Sequence, residues 1–372
     1  MSYTAATVQL LSPEGALVTN DTTAEYLPYI EKLSQEQLRD FHRQMVVMRR
    51  FDAEGANLQR QGQLGLWIPS VGQEAAQVGS AYAARPQDHL FPAYREHVIA
   101  RIRGVDPIKL IELLRGISNG GWDPKDNGNF HLYTLVIGSQ TLHATGYAMG
   151  IALEGASGTG NPDTDAAVIV YFGDGASSQG DVSEALVFAA SYQTPQVFFL
   201  QNNHWAISVP VSKQSRTPLY LRSSGFGIPG VQIDGNDVLA SYAVTSANLD
   251  SARSGAGPRF IEALTYRIGA HTTSDDPTKY RADSESDYWI ARDPIPRFEA
   301  YLRSLGEGDD FFAEVATEAD DFAADIRART FALGVPPVSK IFDHVYSDPH
   351  PLMDEQAAWL ANYEASFEGD SE

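Results

Sequence analysis

The residues Gly173, Asp174 and Gly175 are the clearest sign of chemistry in this sequence. They follow the apolar run AAVIVYF (166–172) and precede the helical pattern DVSEALVFAASY (181–192). Glycines between a strand and a helix let backbone N–H groups approach a phosphate, whose charge the helix N-terminus favours. Asp174 is itself an anion and would repel a phosphate unless a cation lay between them. The segment therefore predicts a divalent metal held by Asp174 and by diphosphate oxygens.

A second metal ligand is expected at the end of the next strand. The run QVFFLQ (196–201) is short and apolar on both faces, which is typical of a buried parallel strand. Parallel strands joined by a right-handed crossover end at the same edge of the sheet. Asn202 and Asn203 follow that run, and an amide oxygen suits Mg²⁺ or Ca²⁺ when a diphosphate supplies the negative charge. Either asparagine is a candidate ligand.

Composition excludes several classes of function. The net charge of −21 over 372 residues argues against nucleic acid or an anionic membrane as a partner. The absence of cysteine excludes disulfides, thiolate metal sites and cysteine nucleophiles. The N-terminus does not resemble a signal peptide, and no apolar run approaches the roughly 20 residues of a membrane span. These features predict a cytoplasmic protein that does not contact membranes.

Periodicity divides the chain into three predicted regions. Residues 1–34 form an N-terminal arm that lies across another surface. Residues 35–290 form an α/β domain, which begins with a helix and contains a parallel sheet with helices on both faces. Residues 291–372 form an acidic, helical C-terminal region.

Spacing and several longer segments point to one family. The 26 residues between Gly175 and Asn202 (176–201) give the spacing of the thiamine diphosphate motif. Over about residues 38–345, the chain resembles the alpha subunit of the heterotetrameric 2-oxo acid dehydrogenase decarboxylase component. The other segments that carry this resemblance are GQEAAQVGSA (72–81), FPAYRE (91–96), IGSQTLHATGYAMG (137–150) and YRIGAHTTSDDPTKYR (266–281). The resemblance implies the thiamine diphosphate-binding fold.

The resemblance also implies which residues hold the metal and the cofactor. Asp174, Asn203 and the backbone carbonyl of Trp205 would bind Mg²⁺. The cofactor-binding set would comprise Tyr94, Arg95, Ile137, Gly173, Asp174, Gly175, Ala176, Asn203 and His271.

Within that set, Tyr94 and Arg95 would donate to the diphosphate, and Ile137 would support the bent cofactor from below. His271 would contact the terminal phosphate and, titrating near neutrality, act as a catalytic group that moves a proton. The alternative roles are a surface ion pair with Glu96 for Arg95, a core position for Ile137 and a solvated loop position for His271.

Two further features of the family are relevant to this sequence. Arg267, Asp275, Tyr280 and Arg281 are expected to brace the His271 loop, in which the position of Thr272 is phosphorylated in some relatives. In some relatives the positions of Ser139 and Gln140 belong to a K⁺ site. In those relatives the stretch just before the position of Ile137 is rich in serine and proline. This chain has Thr-Leu-Val (134–136) there, which argues against a K⁺ site.

The implied activity is oxidative decarboxylation of branched-chain 2-oxo acids such as 3-methyl-2-oxobutanoate. The acyl group would pass to the lipoyl group of a partner acyltransferase. The chain offers no clear carboxylate to activate the cofactor, and in the family that group belongs to a beta subunit. An α2β2 heterotetramer is therefore expected.

Three alternatives remain at this point. The segments RQGQLGLWIPSVGQEAAQ (60–77) and SSQGDVSEA (177–185) are equally similar to bacterial pyruvate dehydrogenases, whereas TTSDD (272–276) favours branched-chain substrates. The chain could also be a catalytically silent scaffold subunit or a magnesium-dependent phosphohydrolase. Such a hydrolase would need carboxylates where asparagines stand.

Overall fold

The computed structural model describes residues 7–118 and 121–367. The chain divides into two compact units, one ending at Thr330 and the other beginning at Phe331. The domain boundaries predicted at residues 34 and 290 stay predictions. The ends of the predicted arm and C-terminal region, 1–6 and 368–372, lie outside the described residues.

The strands of the described residues form a central sheet and a small hairpin. They are β1 (His89–Phe91), β2 (Val168–Gly173), β3 (Gln196–Asn202), β4 (Trp205–Ala206), β5 (Val209–Pro210), β6 (Gly230–Asp234) and β7 (Arg259–Leu264). The central sheet has the order β1-β2-β3-β7-β6, and every neighbouring pair is parallel. Strands β4 and β5 pair antiparallel.

Helices make up most of the remaining described structure. They are α1 (Leu27–Ile30), α2 (Gln35–Arg60), α3 (Glu74–Ala83), α4 (His97–Ile102), α5 (Pro107–Arg115), α6 (Ser139–Leu153), α7 (Gly180–Tyr192), α8 (Val211–Gln214), α9 (Leu221–Ser224), α10 (Val238–Arg253), α11 (Asp283–Ile290), α12 (Pro294–Ser304), α13 (Asp309–Ala332) and α14 (Pro351–Ala365). Short 3₁₀ turns occur at Pro124–Asp126, Ala176–Ser178, Pro277–Lys279 and Val338–Ile341. None of the helices in the described part is both long and apolar enough to cross a membrane. The cytoplasmic location stays a prediction.

Helices cover both faces of the central sheet. Val168, Val170 and Phe172 of β2 share one core cluster with apolar side chains of α6 and α7. The intervening Tyr171 belongs to the opposite face, because its hydroxyl donates to Ser80 Oγ on α3 at 3.2 Å. The predicted fold class, a parallel sheet with helices on both faces and a helical C-terminal region, is confirmed.

The helix predicted before the sheet is α2. Ser34 caps its first turn, and Gln37 completes a capping box by bonding back to the Ser34 N–H. Its apolar residues at helical spacing, Leu38, Phe41, Met45, Met48 and Phe51, are buried. This helix packs against α3 and α12.

The N-terminal segment lies along the edge strand of the sheet. Val8 pairs in parallel with Ile233 of β6. The N–H groups of Leu10 and Leu11 both donate to the Asp237 carboxylate at 2.6 Å. The described part of the arm therefore covers a sheet edge of its own chain.

A glycine sets the spacing between α3 and α10. A Cβ at Gly79 would lie 2.5 Å from Ser241 Cβ and 2.6 Å from the Val238 carbonyl oxygen, distances that real Cβ atoms do not reach. The close approach fixes α3, whose Gln77 Nε2 donates to the Arg95 carbonyl at 3.1 Å. The packing of two helices thus supports the loop that carries Arg95.

Candidate cofactor site

Four of the predicted site residues lie in the segments that follow the carboxyl ends of four adjacent parallel strands. Arg95 follows β1, Asp174 follows β2, Asn203 follows β3 and His271 follows β7. Parallel sheets of this kind bind ligands in the crevice outside those strand ends.

One cavity of about 250 Å³ opens at this edge. Its lining consists of Gln73, Ala93, Tyr94, Arg95, Glu96, Thr134, Ile137, Gly138, Gln140, Gly173, Asp174, Gly175, Ala176, Gln201, Asn203, Trp205, Ala206, Ile207 and His271. All residues expected to bind cofactor or metal are among them. Their binding roles stay predictions.

Asp174 is a buried carboxylate at the end of β2, with only 1% of its surface exposed. Burial raises its pKa, against the opposing effects of hydrogen bonds from Gln214 and from the Asn203 backbone. A buried anion of this kind is stabilised by an adjacent cation. Asp174 therefore suits the role of a metal ligand.

The structure distinguishes the two candidate asparagines. Asn203 lines the cavity, whereas Asn202 does not. The Asn202 side chain donates to Glu262 Oε1 at 2.7 Å and accepts the His204 N–H at 3.1 Å. Only Asn203 thus combines a position beside Asp174 with access to the cavity.

The loop after β3 has an unusual backbone. His204 and Ile207 adopt φ values of 71° and 54°, which is rare for any residue other than glycine and rarest for a β-branched one. Such conformations persist where the surrounding structure requires them, often at binding sites. Pro210 lies opposite Trp205 in the hairpin and has no N–H to donate. The Trp205 carbonyl therefore receives no hydrogen bond from its ladder partner.

The glycine turn after β2 allows the loop after β3 to pack closely against it. A Cβ at Gly175 would lie 2.8 Å from the Ala206 Cβ. At Gly173 the nearest atom to a Cβ would be the Gln201 carbonyl oxygen, 4.0 Å away. Gly175 is needed for contact between two protein segments, whereas Gly173 leaves its backbone open to the cavity.

Arg95 and His271 form one hydrogen-bonded unit in the cavity lining. Arg95 Nη2 lies 3.1 Å from the His271 carbonyl oxygen and 3.2 Å from its Nδ1, and Nη1 donates to the Pro69 carbonyl. A guanidinium can only donate, so Nδ1 accepts and the ring proton lies on Nε2. That N–H is a donor suited to a phosphate oxygen.

The expectation that His271 titrates near neutrality is wrong for the cavity as it stands. Burial, together with the positive charges of Arg95 and Arg267, lowers the His271 pKa to about 3. Asp275 opposes this shift only weakly, as the last of the four causes. The imidazole is therefore neutral, and only a new negative charge nearby would raise its pKa.

The predicted bracing of the His271 loop is confirmed. The Asp275 Oδ2 accepts the His271 N–H at 2.8 Å and the Tyr280 hydroxyl at 2.5 Å. Arg267 Nη2 donates to the Tyr280 hydroxyl at 3.2 Å. Arg281 Nη1 donates to the Arg267 carbonyl at 2.6 Å, which joins the two ends of the loop.

Sequence reasoning missed a buried amide and acid pair in the cavity wall. Gln201 Nε2 donates to Glu96 Oε1 at 2.7 Å, and Gln77 Nε2 donates to Gln201 Oε1 at 3.2 Å. Burial raises the pKa of Glu96, while Gln201 and Arg95 lower it. The position of Gln201 at the end of β3 is a signal that pointed to the cavity. No comparable signal marked Ile207.

Asp52 organises the loop that supports both Arg95 and His271. Its carboxylate accepts from Trp67 Nε1 and from the Ser70 N–H, both at 2.6 Å. Between these two residues lies Pro69, whose carbonyl binds Arg95. The Trp67 backbone pairs with Thr273 through two hydrogen bonds of 3.0 Å. The buried Asp52 carboxylate thus holds the loop that contacts both Arg95 and the segment after His271.

Comparisons with known proteins agree on one family. The family model described as "Dehydrogenase E1 component" matches residues 42–323. The alpha subunit of 3-methyl-2-oxobutanoate dehydrogenase from Mycobacterium tuberculosis is 43% identical over 362 residues, which are 97% of this chain and 95% of that protein. The alpha subunit of the pyruvate dehydrogenase E1 component from Staphylococcus aureus is 38% identical over 301 residues, or 80% of this chain and 77% of that protein.

Asp52→Asn should change how stability depends on pH. Burial raises the pKa of Asp52 to about 6 although the hydrogen bonds from Trp67 and Ser70 lower it. Between about pH 4 and pH 6 the folded protein therefore holds a proton at Asp52 that the unfolded chain releases. This linkage reduces the free energy of unfolding by up to about 3 kcal/mol as pH rises. Asparagine does not titrate, so the variant should lack this decrease.

Urea unfolding at pH 4, 5 and 6 would measure the effect. The stability advantage of the wild type over Asp52→Asn should shrink as pH rises. The exposed Asp21→Asn variant is the control and should follow the wild type. An advantage that stays constant across the range would contradict the assignment.

Proposed function

Because the chain belongs to the dehydrogenase E1 component family, as an alpha subunit, we propose that it acts on branched-chain 2-oxo acids such as 3-methyl-2-oxobutanoate. The chain is an oxidoreductase subunit. The observation that carries the substrate proposal is the similarity to the mycobacterial 3-methyl-2-oxobutanoate dehydrogenase subunit along nearly the whole chain. Pyruvate remains the alternative substrate, given the similarity to the staphylococcal subunit.

Thiamine diphosphate is the cofactor that the family implies. When bound, it supplies a carbon nucleophile that adds to the 2-oxo group and accepts the electrons left by decarboxylation. We propose that Asp174, Asn203 and the Trp205 carbonyl hold the accompanying Mg²⁺. The buried position of Asp174 and the cavity-lining amide of Asn203 support this ligand set.

The cavity lining carries charges of both signs, Asp174 and Arg95, which suits a diphosphate with its metal. Arg95 and the Nε2–H of His271 would bind the phosphate oxygens, with Tyr94 beside them. The Arg95 guanidinium lies 5.6 Å from the centre of the Tyr94 ring. A neutral His271 would gain a proton more easily once the anion is bound, which suits the role of a catalytic proton carrier.

Backbone and apolar groups would complete the cofactor contact. The open backbone at Gly173 and the Gly175-Ala176 turn would face the diphosphate. Ile137 lines the cavity and precedes α6, with 39% of its surface exposed. An apolar side chain left partly open inside a cavity suits a contact with the rings of the cofactor.

A monovalent cation site is also proposed, next to Ile137. Gln140 Oε1 is buried and has no hydrogen-bond partner among the described residues, whereas Nε2 donates to the Tyr171 carbonyl. Ser139 Oγ donates to the Val136 carbonyl at 2.9 Å, so two further oxygens lie close together nearby. The Thr-Leu-Val stretch changes side chains but retains backbone carbonyls, which suffice as ligands for K⁺.

Replacing K⁺ by Na⁺ should weaken binding of thiamine diphosphate, measured as its Kd by calorimetry. Gln140→Met keeps the side-chain volume, removes Oε1 and should abolish the difference between the two salts. Equal Kd values for the wild type in K⁺ and Na⁺ would refute the cation site.

We propose a beta subunit as partner in an α2β2 heterotetramer, and a lipoyl-bearing acyltransferase as acceptor of the acyl group. The names of the similar proteins as alpha subunits support a beta partner. Leu135 and Val136, just before Ile137, are 62% and 71% exposed. This apolar rim beside the cavity suits a covering protein surface.

Asp174→Ala should abolish Mg²⁺-dependent binding of thiamine diphosphate and leave the fold intact. The change removes a charged ligand and no apolar core volume, so the melting temperature should not fall. Calorimetric titration of the complex with its beta subunit measures the binding. The surface variant Asp163→Ala is the control and should bind as the wild type. Unchanged affinity in Asp174→Ala would refute the metal site.

Substrate preference is tested by decarboxylation assays on the chain co-expressed with its beta subunit, with thiamine diphosphate and Mg²⁺. We expect a higher kcat/KM for 3-methyl-2-oxobutanoate than for pyruvate. The reverse order would establish the pyruvate alternative, and no cofactor-dependent turnover of either acid would indicate a silent scaffold subunit.

A further inference from the structure

Gln214 contacts the Asp174 carboxylate from outside the cavity lining. Its Nε2 donates to Asp174 Oδ2 at 2.8 Å, although 40 positions separate the two residues in the chain. Gln214 ends the short helix α8, which follows the β4–β5 hairpin. Within the described residues, it is the side chain that donates a hydrogen bond to this carboxylate.

Gln214 is itself held in place by a closed ring of hydrogen bonds. Arg222 Nη2 donates to the Gln214 carbonyl at 3.0 Å, and Arg222 Nη1 donates to the Ser177 carbonyl at 3.0 Å. Ser177 Oγ in turn donates to the Asp174 carbonyl at 2.6 Å. The ring ties the segment after the hairpin to the turn after β2, so both ends of the Gln214–Asp174 contact are fixed.

We propose that Gln214 is a positioning residue that holds Asp174 in the orientation required to bind the divalent cation. The proposal rests on the magnesium site put forward above. A carboxylate that binds a metal through one oxygen is commonly oriented by a hydrogen bond to the other. Here Gln214 engages Oδ2, and Oδ1 has no side-chain donor among the described residues, so we place the cation at Oδ1.

The chemical type of residue 214 suits this role. An amide donates without carrying charge, so the full negative charge of Asp174 remains available to the metal. A lysine or arginine at the same place would neutralise the carboxylate and compete with the cation. Gln214 is only partly buried, so its replacement removes little core packing.

Gln214→Met tests the proposal, because methionine keeps the length of the side chain and removes the donor. Mn²⁺ replaces Mg²⁺ as a probe with similar oxygen ligands. Its binding to the complex with the beta subunit, at saturating thiamine diphosphate, is followed by the EPR signal of free and bound Mn²⁺. We expect the Kd for Mn²⁺ to rise about 10- to 100-fold, as is usual when a group supporting a metal ligand is lost.

Three comparisons make the result decisive. The melting temperature of the metal-free complex should be unchanged, and Lys213→Met, an exposed change on the same helix, should bind Mn²⁺ as the wild type does. Gln214→Ala is the second variant and should weaken binding similarly.

If the wild type binds Mn²⁺ and Gln214→Met matches it in Kd and EPR line shape, the role of Gln214 is refuted while the metal site stands. If the wild type shows no cofactor-dependent Mn²⁺ binding, the proposed site fails and this role fails with it.

Discussion

The burial of the Asp174 carboxylate at the end of β2 is the constraint around which the site is built. A charge removed from water at the end of a buried strand is costly unless a counter-charge accompanies it. Among the residues that the structure describes, no cationic side chain is in hydrogen-bond contact with this carboxylate. Its side-chain donor is the amide of Gln214, and the amide of Asn203 lines the same cavity. Such an arrangement preserves an anionic position for an external cation.

Arg95, in the lining of the same cavity, carries the complementary charge. Arg95 is bound by the carbonyls of Pro69 and His271, and a guanidinium held by neutral acceptors keeps its charge available. The same positive charge suppresses protonation of His271. A ligand with a diphosphate and a divalent metal would pair with both charges at once. This complementarity links the geometry to the cofactor that the family implies.

Support for Arg95 comes from Asp52, which does not itself line the cavity. Asp52 fixes the loop of Trp67 and Ser70, and that loop holds both Arg95 and the segment after His271. The site therefore depends on a buried carboxylate that need never touch a ligand. The exposed apolar residues Leu135 and Val136 lie beside the cavity, at the rim where we place the partner subunit.

The sequence by itself determined the strand, glycine turn, helix and strand around Asp174, because apolar runs and glycines act over a few residues. It also indicated that the strand ends meet, because parallel crossovers have a fixed hand. Only the tertiary structure showed that Asn203 and not Asn202 lines the cavity, gave His271 a low pKa, and brought Gln214 to Asp174 and Asp52 to the loop that holds Arg95. Those outcomes depend on burial and on contacts between distant segments, which no local pattern of residues encodes.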